Sequence, residues 1–155
     1  MVTSEQVVLT VNGVRRSVEV PPTETLTFTL RERFRLTGTK LGCDSGICGS
    51  CAVLVDRRLR NSCLTLTALL DGSRISTIEG LAEGEKLHPV QRAFVQNGAI
   101  QCGYCTPGMV LAAVALLEEN ASPSEAEIRE AIAGNICRCT GYTKIIKAVK
   151  EVSGA

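Results

Sequence analysis

The chain has 155 residues and a formal net charge of +1 at pH 7, a length that holds one ordinary domain or two small ones. Hydrophobic residues make up 45% and charged residues 21%, which excludes a disordered chain. The near-neutral balance argues against a nucleic-acid or other polyanion partner, the 3% aromatic share without any Trp argues against a base-stacking platform, and no apolar run reaches the ~20 residues of a membrane helix.

Met1 to Gln6 carries an acid and neither a basic nor an apolar leader region, and Arg15-Arg16 is followed by Ser17, Val18 and Glu19. Neither stretch reads as an export signal, so the chain is expected in the cytoplasm. Val7, Leu9 and Val11 alternate, as do Val14, Val18 and Val20 less regularly, and Asn12-Gly13 between them predicts a tight hairpin. Leu26, Leu30 and Phe34 recur at helical spacing and predict one helix, although Thr27 and Thr29 weaken its propensity. Residues 52–55 and 74–78 are further short strand candidates, and the Gly-rich segment 43–51 reads as a loop wrapped around something.

The segment 79–86, with two Gly and a cluster of charges, reads as a linker. Beyond it four helices are expected. Pro89 opens the first, which ends near Gly98, and His88 is a helix-start residue. Thr106 is the expected cap and Pro107 the first residue of the second, whose run Met109 to Leu117 is apolar throughout and therefore reads as core. Ser122-Pro123-Ser124-Glu125 reads as a capping box for the third, which Gly134 stops. The fourth carries Ile145, Ile146, Val149 and Val152 on one face. The expected organisation is a strand-rich domain over 1–80 and a helical domain over 81–155.

The 8 cysteines divide between these halves. In a reducing compartment they point to metal rather than disulfides. The first group is Cys43-x4-Cys48-x2-Cys51 with Cys63 following, the gaps of a plant-type [2Fe–2S] loop. Gly42, Gly46 and Gly49 let such a loop wind closely and aim backbone N–H groups at sulfur. A structural zinc site is the alternative, but zinc sites pair short C-x2-4-C knuckles. The second group, Cys102-x2-Cys105 and Cys137-x-Cys139, is ambiguous from spacing: zinc, [2Fe–2S] and a redox-active disulfide all remain open. Helix, cysteine pair, helix occurs twice here, and two such hairpins packed together would bring four thiolates to one end of a bundle.

Gln101-Cys102-Gly103-Tyr104-Cys105-Thr106-Pro107-Gly108-Met109, Asn135-Ile136-Cys137-Arg138-Cys139-Thr140-Gly141-Tyr142, Leu36-Thr37-Gly38-Thr39-Lys40-Leu41-Gly42-Cys43 and the Cys-x4-Cys-x2-Cys loop that follows occur in an order that closely resembles one family. The chain is similar to the small iron–sulfur subunit of the molybdenum hydroxylases, or xanthine oxidase family. Such subunits occur in carbon monoxide dehydrogenases, 4-hydroxybenzoyl-CoA reductases, and bacterial xanthine and aldehyde dehydrogenases. The resemblance covers nearly the whole chain. It implies an α+β molecule: an N-terminal β-grasp, ferredoxin-like domain followed by an all-α four-helix bundle. It implies that Cys43, Cys48, Cys51 and Cys63 hold an outer [2Fe–2S] cluster and Cys102, Cys105, Cys137 and Cys139 an inner one. It places Gln101 beside the molybdopterin of a large subunit and Cys139 against the pterin amino group. FAD would sit on a medium subunit, in a heterotrimer or a dimer of heterotrimers, and this chain would relay single electrons between the two.

The chain departs from many relatives at Asp44, where they have Gly, and at Ser50 and Ala52. None of these changes touches the ligand set. Arg138 and Lys40 read as surface or charge-neutralising residues, and Tyr104 and Tyr142 as rings packed into the core. No G-x-G-x-x-G, phosphate loop or catalytic triad is present, so the chain alone is not expected to turn over a substrate. A free-standing two-cluster ferredoxin or redox sensor, and a structural zinc module, are the competing readings.

Overall fold

A computed structural model describes residues 4–154; Met1 to Thr3, part of the stretch read for an export signal, and Ala155 lie outside the described residues. β1 (Glu5–Val11) and β2 (Val14–Val20) form the expected hairpin, with Val11 opposite Val14. Asn12 and Gly13 turn it at φ of 49° and 80°, the left-handed pair that a two-residue turn between twisted strands requires. β3 (Ala52–Val55), β4 (Arg58–Asn61) and β5 (Arg74–Ser76) complete one sheet in the order β2-β1-β5-β3-β4. β1 and β5 run parallel and every other neighbouring pair is antiparallel.

Three readings of this half are corrected. The stripe from Leu26 to Phe34 is not one regular helix: α1 (Leu26–Phe28), capped by Thr25, widens at once into a broad turn over Thr29–Arg33, where the Phe34 N–H bonds to the Thr29 C=O at 3.0 Å. The threonines explain the widening. Thr27 and Thr29 are buried and their hydroxyls bond across to Ser62 and to Glu24 and Thr67, so side chains that a regular helix would crowd are satisfied here. The strand expected to reach Ile78 stops at Ser76, and residues 78–80 turn once. β4 is the strand the sequence reading lacks. Its Asp56-Arg57 turn also takes two positive φ angles, 48° and 67°.

The second half holds α2 (Pro89–Gln96), α3 (Thr106–Glu119), α4 (Glu125–Ile132) and α5 (Thr143–Ser153). His88 caps α2 as expected, its Nδ1 accepting from the Val90 N–H at 3.3 Å. The cap of α4 is Ser124 rather than Ser122: the Ser124 hydroxyl and the Glu127 carboxylate satisfy each other's backbone N–H. Ser122 is taken up by a bend in which its own N–H bonds to Asn120 Oδ1. Thr106 is already helical, and the position before it is Cys105.

Two cores result. Val7, Leu9, Val11, Val20, Leu26, Leu30, Val53, Val55 and Ile75 fill one face of the sheet. The other core gathers Val90, Phe94, Met109, Leu111, Ile128, Ile132, Ile145 and Val149 from all four helices, together with Leu54 of β3. Alternation along β3 therefore sends Val53 and Val55 to one core and Leu54 to the other. All four β3 residues are buried because α3 packs on the second face of the strand. Gly108 to Val114 of α3 are sealed in this contact, whereas Ala115 to Leu117 are only half-buried.

Candidate metal centres

The first cysteine group sits where the loop after Leu36 enters β3. Asp44, Gly46 and Gly49 take φ of 53°, 75° and 68° and wind the loop tightly enough that a Cβ at Gly42 would lie 2.9 Å from Cys48 Sγ. Three backbone N–H groups converge on Cys43 Sγ, those of Ser45 at 3.5 Å, Ile47 at 3.3 Å and Cys48 at 3.4 Å. Hydrogen bonds from the Ser45 hydroxyl and then from these N–H groups hold the Cys43 thiol down to about 6. A loop that favours anionic sulfur before any metal arrives suits a thiolate ligand.

Cys63 lies on the single turn that follows β4. The neighbouring Ser62 ties it to the loop: the Ser62 hydroxyl donates to the Cys51 C=O at 2.6 Å and meets the Thr27 hydroxyl at 2.5 Å. Asn61 Nδ2 reaches the Gly46 C=O at 2.9 Å. Cys51 and Cys63 are both buried, and burial, then a hydrogen bond with Cys51, pushes the Cys63 thiol up to about 11.

The second group lies in the two joints between α2 and α3 and between α4 and α5. Cys102 and Cys139 are exposed with their sulfurs 3.6 Å apart. Cys105 and Cys137 are half-buried free thiols, and burial first, then the neighbouring Cys137 thiol, pushes Cys105 up to about 12. Burial pushes Cys137 up too, but hydrogen bonds from Thr140, including its hydroxyl at 3.1 Å, outweigh it and leave the thiol below its ordinary value. Tyr142, at φ 66°, turns the chain into α5, and its hydroxyl accepts from the Cys137 N–H at 2.8 Å.

The structure thus brings together the four expected cysteines of each half. Six of the thiols meet in pairs, Cys51 with Cys63, Cys105 with Cys137 and Cys102 with Cys139, while Cys48 gives its backbone N–H to Cys43 Sγ. Among the described residues no three His, Cys, Asp or Glu side chains gather round a single ion position. Paired thiolates fit a two-iron centre, in which each iron takes two cysteines and bridging sulfide completes its shell. A tetrahedral zinc site asks four sulfurs to meet at one point.

The remaining singled-out residues divide. Gln101 is exposed beside Cys102, and Arg138 is exposed between Cys137 and Cys139. Lys40 bonds to the Thr37 C=O at 2.7 Å. Tyr142 packs against the helical core as expected. Tyr104 does not: it is 47% exposed, because its hydroxyl crosses to the Leu41 C=O at 2.7 Å. Thr27, Ser45, Ser62 and Thr140 support the sulfurs without having been singled out, since their partners are set by the fold or by loop winding rather than by a spacing rule.

Residues 9–76 match the model of a 2Fe-2S iron–sulfur cluster binding domain, and residues 77–150 that of a [2Fe-2S] binding domain. The chain is 50% identical to the nicotine 6-hydroxylase small subunit of Paenarthrobacter nicotinovorans, over 93% of this chain and 87% of that one. It is 47% identical to the nicotinate dehydrogenase small FeS subunit of Eubacterium barkeri, over 92% and 90%. The crystal structure of quinoline 2-oxidoreductase from Pseudomonas putida 86 contains a chain of the same fold, with a TM-score of 0.94 and 46% identity over 97% of this chain and 93% of that one. The chain belongs to the molybdenum hydroxylase family as one of its small iron–sulfur subunits, built of two [2Fe–2S]-binding domains.

Proposed function

We propose that the chain is the electron-transfer subunit of its complex, carrying two [2Fe–2S] clusters that pass electrons singly between molybdopterin on a large subunit and FAD on a medium one. The observation that carries this reading is two separate groups of four cysteines in one chain, with Cys51 meeting Cys63 in the first, and Cys105 meeting Cys137 and Cys102 meeting Cys139 in the second. Cys43, Cys48, Cys51 and Cys63 would hold the first cluster, and Cys102, Cys105, Cys137 and Cys139 the second. The two domains would divide at residue 80, the second as a four-helix bundle that presents its ligands at one end.

This chain's own contribution is to hold anionic sulfur and limit water around it. The N–H groups on Cys43 and the hydroxyl on Cys137 stabilise negative charge at sulfur, and the burial of Cys51 and Cys63 lowers the local dielectric. Leu41, Ile47, Ile100, Tyr104 and Ile136 lie beside the cysteine loops and are 37–67% exposed. Exposed apolar side chains beside both cysteine groups suit docking faces, on which Gln101 and Cys139 would face the pterin. Partners in a heterotrimer, or in a dimer of heterotrimers, would cover them. Eight unpaired thiols suit the cytoplasm, and among the described residues no helix is long and apolar enough to cross a membrane.

Cys→Ser at Cys102, Cys105, Cys137 or Cys139 should remove one cluster's signal from the reduced protein and stop electron flow from the partner's molybdenum centre. Unchanged turnover with the physiological acceptor in such a variant contradicts the reading. Native mass measurement separates it from a free-standing ferredoxin: large and medium chains should copurify.

A further inference from the structure

The two cysteine loops are bonded directly to each other. Asn135, 2% exposed, lies two positions before Cys137. Its side-chain N–H donates to the Gly49 C=O at 2.9 Å, and the backbone N–H of Ile136 donates to the Cys48 C=O at 2.9 Å. Adjacent donors on one loop thus meet adjacent carbonyls on the other. The seam has no spare room. A Cβ at Gly49 would lie 2.7 Å from Asn135 Nδ2 and closer still to the Gly134 C=O; one at Gly108 would lie 3.0 Å from Asn135 Nδ2 and closer still to the Gly49 C=O. Behind the seam, the Tyr142 hydroxyl donates to the Asn135 C=O at 3.1 Å while accepting from the Cys137 N–H at 2.8 Å. The amide is therefore fixed relative to a proposed ligand of one centre while it holds the loop of the other.

We infer that Asn135 is a positioning residue that sets the separation and mutual orientation of the two cluster sites; this rests on the proposal that both cysteine groups carry [2Fe–2S] clusters. An amide is suited to the place because the buried Gly49 carbonyl, which already accepts from the Ala52 N–H at 3.0 Å, has a second lone pair free for a donor. An aspartate of the same shape would oppose that carbonyl with a second acceptor. The Ile136 bond also gives a direct covalent-plus-hydrogen-bond route between the loops, from Cys48 through its C=O to Ile136 and on to Cys137. Loosening the seam lengthens the gap that an electron must cross.

The test uses the full chain with its clusters. When both clusters are reduced by dithionite, each carries one unpaired spin, and their magnetic interaction splits the EPR lines by an amount that falls with the cube of their separation. N135D should lose the splitting and N135A should narrow it, both at unchanged iron content, and both should speed deuterium exchange at the Ile136 amide. G108A keeps Asn135 and favours the helix, but wedges the seam from the other side, and should narrow the splitting too. Iron-loaded N135A with wild-type splitting and wild-type exchange at Ile136 overturns the inference. If the Asn135 variants do not accumulate, wild-type splitting in G108A overturns it alone. A wild-type chain without any iron–sulfur signal instead overturns the reading on which the inference rests, and Ile136 exchange in the metal-free N135A chain then tests the seam by itself.

Discussion

Cys43 is the thiol whose surroundings most favour the charged form, and the cause is local: the Ser45 hydroxyl and three N–H groups surround one sulfur. Below pH about 6 the thiol dominates and above it the thiolate, so in the iron-free chain Cys43 should alkylate at a nearly constant rate from pH 7 upward. Cys63 and Cys105, with values of about 11 and 12, should remain slow over the same range. Peptide mapping of iodoacetamide-treated protein reads all three, and a Cys43 midpoint near the ordinary 9.0 contradicts the loop geometry. Ser62 is the complementary case. S62A removes the donor to the Cys51 C=O and the partner of Thr27 in a buried position, which should cost about 1–3 kcal/mol and release iron from the first group before the second. Equal loss from both groups, or no change in melting temperature, argues against that role. The cysteines were legible because their gaps along the chain carry the chemistry. Ser62 and Thr27 were not, because their bond joins residues 35 apart in sequence.

At the scale of elements, hairpin and helix signals that depend on neighbouring residues read correctly, and those that depend on distant packing did not. Asn12-Gly13 and Pro89 behave as their backbones dictate. β4 escaped because Arg58 and Arg60 are exposed, so its pattern is charged rather than apolar, and its turn uses Asp56-Arg57 in a conformation that usually calls for Asn-Gly. Ser122 and Ser124 each precede an acid by three, Glu125 and Glu127, and the spacing therefore does not tell them apart; Ser124 is the one that directly precedes the first helical residue, with the extended backbone of a cap. S124A should therefore destabilise the chain by ~1 kcal/mol, while S122A should stay within about 0.5 kcal/mol of wild type. Denaturant melts of the two variants decide this, and a larger loss in S122A would restore the original assignment.

For the whole molecule, the boundary between the halves is a packed one. Leu54 leaves the sheet core for the helical core, Arg57 pairs with Glu118 at 3.2 Å, and Tyr104 bonds to the Leu41 C=O. L54A should cost about 2–5 kcal/mol and lower the melting of both halves together; two separate transitions would show that the halves fold independently. The sequence presented these halves as beads on a linker, since no periodicity reports that α3 lies across β3. It also left the second cysteine group undecided between metals, and the pairwise approach of Cys105 to Cys137 and of Cys102 to Cys139 is what favours iron–sulfur over zinc. The central claim is that one chain holds two such centres. Iron analysis combined with EPR of the dithionite-reduced protein tests it most directly. The account predicts about four irons per chain and two distinct [2Fe–2S] signals, and a colourless protein that binds zinc with no signal on reduction would contradict it.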